Sequence, residues 1–201
     1  MIPRHAVWRP LGAVFWSAGV VGDTLSSYHC HPMNPFLRVI DALNGHQVRY
    51  VVVGGFASYL HGTRRVTVDL DIVVDLQEAE ARKAIEALLS IGLKSRVPVD
   101  PYSFADPSER QRWSHEKNMI VFSMFDPAVP GFVVDLMIDL PADFVGLSER
   151  SKEVELHGRK VRISGIDDLI AMKLRAGRPQ DLLDVDTLRC IQSMNQDDQG
   201  Q

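Results

Sequence analysis

Apolar residues recur along this chain at two distinct spacings, and the switches between them mark out its elements. Asn34 and Pro35 read as a helix cap and first helical residue; Phe36, Val39, Ile40 and Leu43 follow as one helical stripe, and Asn44-Gly45 ends it. Val48–Val53, rich in β-branched residues, predicts a buried strand. Gly54-Gly55 breaks that strand, and Phe56–Leu60 predicts the start of a short helix. Thr67–Val74 predicts a second strand, with Val68, Leu70, Ile72 and Val73 turned to the interior. Leu76–Ile91 predicts an amphipathic helix, with Leu76, Ala79, Ile85, Leu88 and Leu89 on its apolar side. Glu78 and Arg82 are spaced to pair, and Gly92 is the stop.

From Lys94 to Lys117 the pattern weakens into polar, irregular sequence, with a capped helical turn at Asp106-Pro107 through Glu109. Met119–Phe125 and Phe132–Ile138 predict two further strands, separated by the proline- and glycine-containing reversal Asp126–Gly131. Val154–Leu156 and Lys160–Ile163 predict a hairpin turning at His157-Gly158. Ser164 with Asp167 starts a helix that runs through Lys173 and ends near Gly177. A second helix begins near Pro179, with Leu182, Val185, Leu188 and Ile191 on one side, and the polar tail from Asn195 is expected to fray. The order predicts an α+β fold, a mixed β-sheet backed by helices. Its divisions are an N-terminal extension (1–33), a core (34–163), a C-terminal helical element (164–194) and a tail (195–201).

Composition changes this picture little. A chain of 201 residues, 45% hydrophobic and 24% charged, suits one domain with an ordinary core. The net charge of −4 argues against a broad, sequence-independent grip on nucleic acid. Arg159, Lys160 and Arg162 form either a local basic rim or a solvated hairpin. Cys30 and Cys190 stand far apart in no metal-ligand spacing, which fits a reducing compartment. Leu11–Val21, preceded by Arg4 and Arg9, has the outline of a secretory signal, but no small-residue cleavage site follows. It is also far short of the ~20 apolar residues that span a bilayer. The expectation is a cytoplasmic protein with no membrane segment, in which residues 1–33 are an extension or precede a second start at Met33.

The chemistry concentrates in Val51–Asp75. Asp69 and Asp71 are one residue apart in a strand pattern, so both carboxylates point to the same face. Two bare carboxylates that close repel and resist burial, and a divalent cation resolves the conflict. Mg2+ takes one or two carboxylates together with substrate phosphates and water. Gly54 and Gly55 let backbone amides approach a ligand, and Ser58 adds a nearby hydroxyl. Asp135 is a lone acid amid Val133, Val134, Leu136 and Met137, as expected of a strand with one face on a polar site; Asp139 is its rival.

These residues resemble the pattern of the DNA polymerase β superfamily of nucleotidyltransferases: a hydrophobic residue and Gly-Gly, then Asp-x-Asp, then a third acid on another strand. Here they are Val53-Gly54-Gly55, Asp69-Leu70-Asp71 and Asp135. The run Met172–Asp181 resembles a helical element of the compact prokaryotic branch, which holds abortive-infection (AbiEii-like) toxins and small antibiotic-modifying enzymes. The resemblance covers about Asn34–Ile191. It implies Mg2+ on Asp69 and Asp71, a second metal completed by Asp135, and Gly54, Gly55 and Ser58 around the β- and γ-phosphates of a nucleoside triphosphate. Thr67 belongs to the same substrate-binding connection. Arg65, Lys173 and Arg178 are implied to neutralise phosphate charge, with Asp181 orienting Lys173 or the helix pair. It further implies an RNA (tRNA) or protein acceptor in a toxin–antitoxin system, with a cognate antitoxin as partner. Two alternatives stand beside it: an antibiotic-modifying nucleotidyltransferase, and a non-catalytic module that binds a nucleotide or partner.

Overall fold

A computed structural model describes residues 34–64, 67–138 and 143–199. The Asn34 side chain accepts the Phe36 amide and Pro35 takes the first position, so α1 runs Pro35–Gly45 with Val39, Ile40 and Leu43 buried. The first strand is shorter than its pattern, β1 spanning Tyr50–Val52. Helix α2 is Gly54–Leu60, so the glycine pair forms its first turn instead of a break before it. There follow β2 (Asp69–Val74), α3 (Glu78–Ser90), β3 (Lys94–Ser95), a 3-10 turn at Pro101–Ala105 and α4 (Pro107–Lys117). The remainder is β4 (Val121–Phe125), β5 (Val133–Met137), α5 (Phe144–Arg150), β6 (Lys152–Leu156), β7 (Arg159–Ile163), α6 (Ile166–Ala176) and α7 (Pro179–Gln199).

The strands form one mixed sheet in the order β3-β4-β5-β2-β1-β7-β6. The β2–β5 and β1–β7 pairs are parallel and the others antiparallel. Alternation along each strand sorts side chains between two faces. On one face, Val52, Leu70, Ile72, Val134, Leu136, Phe122 and Met124 join α1, α3 and α4 in the main core. On the other, Val51, Val53 and Val73 pack against Phe144 and Leu147 of α5, with Met137 and Met172 alongside. Across β5 and β4 that second face stays half-buried at every alternate residue. This half-buried stretch of sheet carries Asp135, opposite Asp71 of β2.

Several expectations are corrected. The polar run before Lys117 contains the full helix α4, in which Arg110 and Trp113 are buried. Arg110 donates to the Phe104 and Leu76 carbonyls at 2.6 and 2.8 Å, and Trp113 stacks on Phe122 with centroids 5.4 Å apart. With so few of its residues facing inward, α4 has no apolar stripe to read. Helix α5 was likewise unpatterned; Asp143 caps it by accepting the Gly146 amide. Val68 is 61% exposed because β2 begins one residue later. Ala79 is exposed, and Arg82 lies over the Tyr102 ring while Lys83 pairs with Glu80. Leu182 is exposed because Asp181 and Asp184 take inward positions beside Val185 and Leu188. Helix α7 continues past Asn195 to Gln199.

The hairpin turns as expected, with His157 and Gly158 both at positive φ (49° and 76°), the geometry a two-residue turn demands. Residues 1–33, including Cys30, lie outside the described residues, and Cys190 is exposed. No helix among the described residues is long and apolar enough to cross a membrane.

If α4 is part of the core, Trp113→Ala should cost about 3–5 kcal/mol. A urea melt should show a lower midpoint at unchanged slope, and a loss below about 1 kcal/mol would make α4 peripheral.

Candidate active site

The register of β2 against β5 sets Asp71 opposite Asp135 and Asp69 opposite Val133. Asp69, Asp71 and Asp135 therefore project from one face, while Leu70, Ile72, Val134 and Leu136 fill the core on the other. The crowding has electrostatic consequences. Burial, then the nearby Asp135, pushes the Asp71 carboxyl up to about 6, against the opposing pull of the Gly55 amide. Asp69 is raised by burial first and Asp135 second, with Arg96 acting against the rise. Asp135 keeps a buried carboxylate oxygen, Oδ1, with no hydrogen-bond partner. A buried acceptor without a donor costs about 1–3 kcal/mol, which a cation would relieve.

The backbone of the glycine turn lies against this acid cluster. Gly54 has φ +63°, and a Cβ placed there would fall 2.0 Å from Asp71 Oδ2. A Cβ on Gly55 would come within 3.0 Å of Thr67 Oγ1. Glycine at 54 is thus needed both for the backbone angle and for the space. Val53, at the cap position, offers no side-chain acceptor to the first amides of α2, which have no intrahelical partner either. Thr67 Oγ1 sits 3.3 Å from the Asp69 amide and positions the start of β2. Ser58 is buried, and its hydroxyl donates to the Gly54 carbonyl at 2.9 Å. In this structure Ser58 braces the turn from inside, with its proton committed there.

Helices α6 and α7 bring the cations. Lys173 is 5% exposed; its Nζ donates to Asp184 Oδ2 at 2.6 Å and lies 3.6 Å from Asp181 Oδ1. Arg178, just past the left-handed Gly177 that ends α6, donates from Nε to Asp181 Oδ2 at 2.7 Å. Asp181 thus bridges the two cations. The Lys173 charge pulls the Asp71 carboxyl down, and Arg178 is raised by its hydrogen bond to Asp181 first, with Asp71 adding the least. Asp184 and Arg96 were not singled out from the sequence. Asp184 had a signal in its three-residue spacing from Asp181; Arg96, in the irregular run, had none. Arg65 and Asp139 lie outside the described residues.

Among the described residues no three acidic, His or Cys side chains are grouped closely enough to hold an ion unaided. The donor set therefore suits a cation that arrives with oxygen ligands of its own. Two carboxylates on one strand and a third with an orphaned oxygen fit Mg2+ carried on a triphosphate.

Over residues 36–198 the sequence matches the family described as nucleotidyltransferase of unknown function (DUF6036). No curated protein matches it significantly in sequence. Among solved structures, a presumed nucleotidyltransferase from Thermotoga maritima is 19% identical, with 84% of this chain and 99% of that one covered and a TM-score of 0.51. The lincosamide antibiotic adenylyltransferase LnuA, with lincomycin bound, is 18% identical over 78% and 95% of the two chains, at a TM-score of 0.52. ANT(2″)-Ia in complex with adenylyl-2″-tobramycin is 13% identical over 78% and 86%, at 0.50. At these identities the likeness is one of fold.

Two measurements check this geometry. Gly54→Ala forces an L-residue into the left-handed region, costing about 1–2 kcal/mol before the clash with Asp71 is counted. Its denaturation midpoint should fall, and an unchanged midpoint would mean the turn is not built this way. The second concerns pH. Because the native state holds the Asp71 proton more tightly than the unfolded chain does, that group's contribution is full below the ordinary value of 3.8. It is lost as pH rises to about 6. The loss amounts to up to about 3 kcal/mol at neutral pH without a cation. Asp71→Asn should therefore be more stable than the parent at pH 8, with the gap closing by pH 4; an equal gap at both would contradict the shift.

Proposed function

The chain belongs to the DUF6036 family of nucleotidyltransferases, and from that premise we propose that it is Mg2+-dependent and moves a nucleoside monophosphate from a nucleoside triphosphate to an acceptor hydroxyl. The observation that carries the reading is the alignment of Asp71 with Asp135 across β2 and β5, directly against the Gly54 backbone. When bound, Mg2+ supplies positive charge to the triphosphate, and Asp69 and Asp71 are the residues that would hold it, with Asp135 in reach of a second ion.

The chain's own groups divide the remaining work. The Gly54 amide meets the β- and γ-phosphates, joined by that of Gly55 when a cation takes its place on the Asp71 carboxylate. Lys173 and Arg178 add positive charge on the same side, the side on which α6 approaches Asp71. Asp181 and Asp184 hold Lys173 in place. Asp135 accepts the proton of the acceptor hydroxyl as that oxygen bonds to the α-phosphorus and pyrophosphate leaves. Positioning and charge neutralisation dominate such chemistry.

The acceptor we favour is RNA, tRNA foremost, or a protein, in a toxin–antitoxin setting with a cognate antitoxin. This rests on the resemblance of Met172–Asp181 to abortive-infection toxins. A second reading, modification of a small antibiotic, is favoured by the likeness in fold to LnuA and ANT(2″)-Ia. The intact acid cluster argues against a purely binding role.

Labelled triphosphates incubated with Mg2+, pooled tRNA, an aminoglycoside and a lincosamide would decide among these. Transfer to RNA is expected, with Asp69→Ala and chelation of Mg2+ each lowering it by about a thousandfold. A labelled antibiotic would move the acceptor to the second reading, and full activity in Asp69→Ala would end the catalytic one.

A further inference from the structure

Arg96 closes a row of residues that begins at the acid cluster. Strand β3 pairs with β4 so that Ser95 lies opposite Met124, and the Arg96 amide, one residue on, donates to the Ser123 carbonyl at 3.0 Å. Ser123 lies opposite Asp135, and Asp135 opposite Asp71. Cross-strand partners share a face. Arg96, Ser123, Asp135 and Asp71 thus form one line across the sheet. Arg96 is exposed, and among the described residues no carboxylate lies at ion-pair distance from it.

The line gives the site two sides. On one, beyond Asp71, are the glycine turn with Lys173 and Arg178. On the other, two strand spacings past Asp135 (roughly 10 Å), stands Arg96. In-line displacement requires the acceptor to enter opposite the departing pyrophosphate. With the phosphates on the glycine side, the acceptor lies over β5 and β4. There the half-buried side chains among the described residues are Val121, Ser123, Phe125, Val133 and Met137 besides Asp135 itself, so in this row of described residues Arg96 is the charge left once the acids are engaged.

We infer that the acceptor is a polynucleotide, and that Arg96 binds a backbone phosphate close to the attacking ribose hydroxyl. This rests on the acid cluster being the transfer site. RNA fits because every residue carries a hydroxyl and a phosphate a fixed short distance apart, and a guanidinium matches phosphate geometry. A protein hydroxyl would need an acidic neighbour at the right spacing. A polycationic aminoglycoside would meet Arg96 as a like charge. In a chain of net charge −4, one arginine at this place with no ion pair among the described residues points to a local contact, not to a general basic surface.

The test uses the full-length chain and fluorescently labelled pooled tRNA, followed by anisotropy over a salt series. Arg96→Gln should weaken tRNA binding by roughly fivefold and lower the salt slope by about one. Arg96→Lys, which keeps the charge, should retain the slope. Equal tRNA affinity and slope in Arg96→Gln would overturn the inference, as would transfer to a protein or an aminoglycoside but not to tRNA. Asp69→Ala separates this from the underlying reading. If that variant still transfers nucleotide, the catalytic assignment fails while anisotropy continues to report on Arg96.

Discussion

Three carboxylates facing the same way on one sheet repel each other, and the backbone gives them no freedom to part. Asp69 and Asp71 are bound to one face by the pleat of β2, and the β2–β5 register sets Asp135 against Asp71. A slip of one residue in β2 would turn both acids into the core and Leu70 and Ile72 out to solvent, so burial on the far face enforces repulsion on the near one. Burial first and the neighbouring Asp135 second raise the Asp71 carboxyl, and Asp135 keeps an oxygen without a hydrogen-bond partner. Gly54 tightens the arrangement, because its lack of a side chain lets the backbone rest on the Asp71 carboxylate.

The rest of the fold provides for that arrangement. The main core gathers on the face away from the acids, where α1, α3 and α4 pack on β2, β5 and β4. On the acid face, among the described residues, Val51, Val53 and Val73 pack with Phe144 and Leu147 of α5 and with Met137 and Met172. Cations approach from α6 and α7, tied down by Asp181 and Asp184. A buried lysine between two aspartates is a weak source of net stability but a strong constraint on where its charge sits, since losing either kind of partner leaves a charge buried and unmatched.

Much of this was legible in the residues. The strand carrying Asp69 and Asp71 was readable from its alternation, the turn from Gly54-Gly55, and the last two helices from Gly177 and Pro179. The coarse α+β layout with a mixed sheet follows from the same signals, as does membership in a nucleotidyltransferase family. What was hidden has physical causes. Helix α4 buries Arg110 and Trp113 without a stripe, so polarity masked it. Leu182 looked like a core residue because the apolar pattern of α7 ignores the inward Asp181 and Asp184. That the Ser58 hydroxyl turns back to the Gly54 carbonyl is something a sequence does not show. Arg96 was invisible because its place depends on how a two-residue strand pairs, and such short pairing leaves no periodicity.

The central claim is that the acids and the glycine turn form a single site for a metal-bound triphosphate. A crystal structure with Mg2+ and a non-hydrolysable α,β-methylene triphosphate addresses it most directly. The account predicts an ion about 2.1 Å from carboxylate oxygens of both Asp69 and Asp71, with the terminal phosphates on the Gly54 and Gly55 amides. A triphosphate bound elsewhere on the chain, with the three carboxylates free of any ion, would contradict it.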